Sequence, residues 1–188
     1  MVGEPGRQGE PDYVERGVRH RAALARLGRH EAPRLQAGFG LRREAAIKFT
    51  PSYADRGDRL AVKGSTAKGG HPGEVPVLTD RQRRVLDEAR ELAGDGALIP
   101  PGRNYPEHKK VYEDQAKAAG LNHMHGLRHS YALDRYEEIT GWKAPAAGGP
   151  RRRELNDARR RIDMAARLTI AFEFGHSRLE IARVYVGA

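Results

Sequence analysis

The stretch HGLRHSYALDRY, residues 125–136, puts a histidine, an arginine three residues later and a second histidine at the head of a segment with helical periodicity. Gly141 stops the pattern, which predicts a helix from about His125 to Ile139. So many hydrogen-bond donors in five residues admit three readings. His125 and His129 lie four apart, on one helix face, as in zinc metalloproteases. That motif wants a glutamate after the first histidine, whereas this chain has Gly126, and no carboxylate stands where a third ligand is expected. In a structural reading, His125 caps the helix while Arg128 and His129 lie on its solvated face. In the third reading, the cluster grips a phosphate.

Other stretches add to the third reading. GHSR, residues 175–178, falls at a break between helical patterns, and Tyr185 follows nine residues after His176. Tyr185 also suits a plainer role as a ring anchoring the last helix in the core. LRRE, residues 41–44, sets Arg42 just beyond Gly40, and Lys68 stands in a glycine-rich turn. Two arginines, a lysine, two histidines and a tyrosine are the set that phosphoryl transfer through a covalent enzyme intermediate requires. Guanidinium forks match non-bridging phosphate oxygens in two-point hydrogen bonds. They also stabilise the charge of the transition state. A tyrosine hydroxyl can act as nucleophile, and a lysine or histidine can protonate the leaving oxygen. With that many cationic donors no metal is required.

Composition narrows the partner. The chain has 188 residues with a formal charge of +9, from 34 Lys+Arg against 25 Asp+Glu. A basic chain without a membrane anchor points first to a polyanion, most often nucleic acid. No run of 18 apolar residues occurs, and the polar N-terminus has no apolar signal core. The absence of cysteine excludes disulfides, thiolate zinc sites and cysteine nucleophiles, and fits a cytoplasmic protein.

Along the chain, residues 1–11 read as a loose tail rich in Gly, Pro and charge. Helical spacing is expected over residues 13–27, 32–37 and in LRREAAIKF, with Pro51 ending that helical region. From Asp58 to Leu78, Leu60 and Val62, then Val75 and Val77, alternate with polar residues around KGSTAKGGHPG, which predicts a β-hairpin with a long lysine-bearing loop. Thr79-Asp80 starts a helix that Gly94 closes, and residues 106–119 form another. A long helix from about Leu155 to Glu173 and a short one ending near Tyr185 complete the pattern. The expected fold class is mainly α (α+β), with one small antiparallel hairpin sheet.

The order of motifs resembles the catalytic domain of the tyrosine recombinases, the phage-integrase superfamily: Arg in GLRRE, Lys in AKGG, HxxR in HGLRH, GH in GHSR, then Tyr nine residues on. The similarity is closest to a bacterial integrase subgroup, in FGLRREAAIKF, KGSTAKGG, AGLNHMHGLRHSYA, RYEEITGWKAPAAGGP and FGHSRLEIARVY, and runs from about residue 30 to 186. The resemblance implies site-specific cleavage and rejoining of duplex DNA, independent of metal, ATP or any cofactor. It implies Arg42 and Arg128 as phosphate clamps, Lys68 as general acid for the departing 5′-oxygen and His125 as general base or phosphate hydrogen-bonder. His176 would bind the phosphate, and Tyr185 would be the nucleophile forming a 3′-phosphotyrosyl link. It further implies homo-oligomerisation on DNA, a tetramer in the family, in a cytoplasmic, nucleoid-associated setting.

Two departures qualify the match. The family commonly carries a carboxylate three residues after its first arginine, where this chain has Ala45, with Glu44 the nearest acid. Arg43 competes with Arg42 for the first clamp position. About thirty residues precede the resemblance, so residues 12–188 are expected to be a nearly bare catalytic domain, and only Val186, Gly187 and Ala188 follow Tyr185. The alternative is a DNA-binding remnant, or a modulator of a full-length integrase, without useful catalysis. The basic run PRRRELNDARRRID reads equally as a DNA-facing strip or a solvated helix face, and Trp142 as a packing residue.

Overall fold

A computed structural model describes residues 30–66, 70, 72–121, 124–176 and 180–188. The helix expected over residues 13–27 and the hairpin lysine, Lys68, lie outside the described residues.

Local chemistry sets most element boundaries. Helix α1 spans Glu31–Phe39 and ends on Gly40, whose φ of 60° is left-handed. Helix α2, Arg43–Ile47, follows at once with Arg42 as its extended N-cap. Pro51 does not end this helical region as expected. It opens helix α3, Pro51–Ala54, from the first position, where its missing N–H removes no helical bond, and Thr50 is held extended ahead of it. Strands β1, Arg59–Val62, and β2, Gly73–Pro76, pair antiparallel with Leu60 opposite Val75. Both of those side chains are buried. Val77, expected in the second strand, lies one residue beyond it.

Helix α4, Asp80–Ala93, begins with a reciprocal cap between Thr79 and Gln82. Helix α5, Tyr105–Ala118, begins with the equivalent pair Asn104 and Glu107. Each cap satisfies otherwise unbonded N–H groups of the first turn. The Gln82 amide also donates to the Gly38 carbonyl at 2.8 Å, tying the start of α4 to the end of α1. Helix α6 is His125–Thr140, closed by left-handed Gly141. Its N-cap is Met124 with no side-chain bond, so His125 is the first helical residue rather than the cap. Helix α7 is Asp157–Glu173, capped by Asn156, and helix α8 is Glu180–Val186.

α6 lies at the centre, packed against α1, α7 and α8. Core side chains come from every layer: Leu35, Phe39, Ile47, Leu86, Tyr136, Ile170 and Val186 are almost fully buried. A polar node runs through this core. The Tyr136 hydroxyl donates to Asp163 at 2.7 Å, as does the Arg167 Nε, and Arg167 also donates to the Gly187 carbonyl at 2.7 Å. Burial first, and then the Asp163 bond, push the Tyr136 hydroxyl up to about 12, so it stays a neutral donor. This node joins α6 to α7 and fastens the chain just after α8. Trp142 packs, half-buried, against the core with the Arg159 guanidinium 5.3 Å over its ring.

Gly40 is packed closely against two aromatic rings. A Cβ there would lie 2.5 Å from the Phe174 ring and 2.7 Å from the Tyr131 ring, in a left-handed conformation. Gly40→Ala is expected to lower stability by roughly 2–4 kcal/mol, from overpacking plus backbone strain. A denaturant titration followed by circular dichroism checks it, and an unchanged midpoint refutes the close packing.

Candidate active site

The chain reverses sharply at Gly40, and two consequences follow. The Gly40 carbonyl points inward, where it accepts from Nη1 of Arg128 on α6. Arg42, two residues on, emerges beside the start of α2 with its Nη2 3.0 Å from the His176 Nε2. Arg43 goes the other way. It is exposed and pairs with Glu113 of α5 at 3.2 Å, so Arg42 is the arginine of this pair that faces the site. Glu44 pairs with Lys48 at 2.6 Å and leaves Arg42 without its carboxylate.

Arg128 is 4% exposed. Its Nη2 donates to the Phe174 carbonyl at 3.1 Å and its Nε to the Tyr185 hydroxyl at 3.2 Å. The guanidinium lies 3.6 Å from the centroid of the Phe174 ring. Burial is the main influence lowering its pKa, and the nearby Arg42 charge adds to it. Arginine starts so high that the group stays cationic. Three of its five N–H donors are committed to the protein, and two remain for a ligand.

Tyr185 on α8 packs as its plainer reading expects. Its ring is buried, edge-on to Phe174 at 4.7 Å between centroids and 4.7 Å from His129, so it does anchor the last helix. Its hydroxyl nevertheless faces Arg128. His125 stands at the exposed mouth, 6.0 Å from the Tyr185 ring and edge-on to His129 at 5.4 Å. Desolvation first, then the Arg128 and Arg42 charges, lower the His125 pKa. A neutral imidazole able to accept a proton is therefore favoured at neutral pH.

Arg42 and Arg128 border a cleft of about 340 Å³ that Val62, Thr66, Gly73 and Glu173, among others, also line. β2 closes one side, where Gly73 comes close enough to Gly175 that a Cβ on Gly73 would sit 3.8 Å from the Gly175 Cα. Five of the six expected residues, Arg42, His125, Arg128, His176 and Tyr185, thus converge. The sixth, Lys68, lies outside the described residues, although Val62, Thr66 and Gly73 of its hairpin reach the cleft.

Sequence reasoning missed a supporting group. Glu173, the last residue of α7, is buried and accepts from the Tyr131 hydroxyl at 2.8 Å and the Arg135 Nε at 2.9 Å. Both donors are on α6. Burial raises the Glu173 pKa, opposed by Arg135. The bonds fix the end of α7, whose next residues supply the Phe174 carbonyl and His176. The spacing of Tyr131 and Arg135, four apart on one face, was the available signal.

The chain belongs to the integrase family, whose profile it matches over residues 16–134. Its fold is that of a tyrosine recombinase catalytic domain: mostly helical, with a small two-stranded antiparallel sheet. Among solved structures it is similar to the XerH site-specific recombinase bound to difH substrate in a pre-cleavage complex, at a TM-score of 0.53 and 15% identity. The match covers 98% of this chain and 52% of that one, so this chain spans about half the length of its structural relative. No curated protein sequence matches it. No helix among the described residues is long and apolar enough to cross a membrane.

Two outcomes test this geometry. Glu173→Ala leaves the buried Tyr131 hydroxyl without its acceptor and the largely buried Arg135 Nε without Glu173, although Glu138 still meets its Nη1 at 2.9 Å, and is expected to cost about 2–3 kcal/mol in denaturant unfolding. For His125, the folded chain binds its proton less readily than the unfolded one. Its contribution to stability is therefore complete above pH 6.5, the ordinary histidine value, and is lost as the pH falls toward the lowered folded value. A histidine NMR titration should give a His125 midpoint below 6.5, and a midpoint at or above 6.5 refutes the crowding by Arg42 and Arg128.

Proposed function

We propose that this chain is a site-specific DNA recombinase that cleaves and rejoins duplex DNA through a 3′-phosphotyrosine intermediate. The observation that carries the reading is the Tyr185 hydroxyl held at 3.2 Å from a buried arginine, which lines a cleft together with a second arginine that meets His176 at 3.0 Å. An anion drawn into that cleft relieves the repulsion between Arg42 and Arg128. A phosphodiester fits the donor set, because guanidinium N–H groups match its non-bridging oxygens.

In the reaction, the Tyr185 oxygen forms a bond to phosphorus as the bond from phosphorus to the 5′-oxygen breaks. The phenolic proton passes to His125. Lys68 supplies the proton that the departing 5′-oxygen takes up. Arg42, Arg128 and His176 hold the two non-bridging oxygens as charge builds on them. Rejoining reverses these steps with a new 5′-hydroxyl, so the bond energy is retained and no nucleotide cofactor or metal is called for. Residues 12–188 act as the catalytic domain, on DNA and as an oligomer. The net charge of +9 supports a polyanionic substrate held largely through its phosphates.

A covalent-trapping experiment tests the proposal. The chain is incubated with labelled nicked duplexes, denatured in detergent and run on a gel. A protein–DNA band that Tyr185→Phe abolishes is expected. Arg128→Lys should weaken it by roughly 10²–10³-fold through loss of the two-point grip. Duplex binding with no covalent band in the parent chain on any such DNA would replace this reading with a binding-only protein.

A further inference from the structure

A second cleft of about 290 Å³ opens beside the first, and the two share Leu41, Ala45, Val62 and Thr66 as a common wall. Its far side is formed by Thr50, Tyr53 and Lys63. Lys63 follows β1 directly and is half-buried. Its ammonium group lies 3.4 Å from the Thr50 hydroxyl and 4.7 Å over the Tyr53 ring. The Arg56 guanidinium stands 5.3 Å from the same ring.

Neighbouring acids are already taken: Glu44 by Lys48, Asp55 by Arg83 and Arg90, Asp58 and Glu74 by Arg59. Among the described residues, no carboxylate comes within ion-pair distance of Lys63. A flexible lysine costs side-chain entropy when held in place, and a ring with a hydroxyl holds this one. A cation fixed on an aromatic ledge, without an acid, is prepared for an anion from outside. Tyr53 is 38% exposed, so the ledge is reachable.

We propose that Lys63 and Thr50, with Tyr53 beneath them, form a second phosphodiester subsite, which binds a phosphate of the same strand adjacent to the one in the Arg42–Arg128 cleft. This rests on the recombinase reading above. The shared wall sets the two clefts side by side, so a strand anchored in the first passes the mouth of the second. Lys63 contributes a point charge and Thr50 a hydroxyl donor. Tyr53 carries the ammonium and presents its ring edge to the sugar. Such a contact holds the strand in register without reading a base.

Salt dependence tests it. Affinity for one duplex is measured over a range of salt concentrations for the full chain and for Lys63→Gln, Lys63→Arg and, as a control, the exposed Lys110→Gln, each checked for folding by thermal melting. Each phosphate contact contributes about 0.9 to the slope of log affinity against log salt. Lys63→Gln is expected to reduce the slope by about that amount, Lys63→Arg to restore most of it, and Lys110→Gln to leave it unchanged. A wild-type chain that binds normally beside a Lys63→Gln slope equal to its own overturns the subsite alone. So does an equal reduction in Lys110→Gln, which would mark a general charge effect. A wild-type chain with no salt-dependent duplex binding overturns the recombinase reading, and the subsite falls with it.

Discussion

A buried guanidinium with no carboxylate partner organises this molecule. Arg128 sits inside the protein, and two backbone carbonyls, a phenol oxygen and an aromatic face stand in for the water it has lost. An isolated buried charge is expensive unless hydrogen-bonded. Every element that supplies a partner is therefore fixed relative to α6: the turn after α1 through Gly40, the end of α7 through Phe174, and α8 through Tyr185. Removing the cation would leave those groups facing a void. A carboxylate in their place would satisfy the cation fully and leave it little attraction for a ligand.

Support for this arrangement comes from a ring of acid-centred bonds just outside it. Glu173 ties α7 to α6 at the site end, and Asp163 ties them again through Tyr136 and Arg167 further along. The two ties hold α7 near its middle and at its last residue, which sets the direction in which the chain leaves it toward His176. Glu173 and Asp163 join helices in the interior, and Glu44, Asp55, Asp58 and Glu74 near the clefts pair with Lys48, Arg59, Arg83 and Arg90. Arg42 and Arg128 line one of the two neighbouring clefts and Lys63 the other, each without an ion-pair partner among the described residues. Net charge alone says only that a polyanion is favoured, and the pairing pattern says where.

Much of this was legible in the chain. Helix ends were marked by local chemistry: Thr79 with Gln82, Asn156, Gly94 and Gly141 announce their roles because caps depend on neighbours within four residues. The hairpin was legible from alternation, and the motif order from Arg42 to Tyr185 implied both family and site. Pro51 misled, because a proline bars a helix from continuing and equally well begins one, and only the packing of residues 51–54 decides between these.

What only the tertiary structure decided are the questions whose answers lie across long sequence separations. Arg42 and Arg43 are adjacent and chemically identical, and Glu113, seventy residues away from Arg43, draws it outward while His176 meets Arg42. For Glu173 the sequence offered only the spacing of Tyr131 and Arg135, which becomes meaningful once α6 and α7 pack together. The sequence by itself determined the helical elements, the hairpin and the set of reactive residues, since those follow from local periodicity, caps and motif spacing. The tertiary structure decided which cations are left without acids, because that depends on which charges the fold brings together.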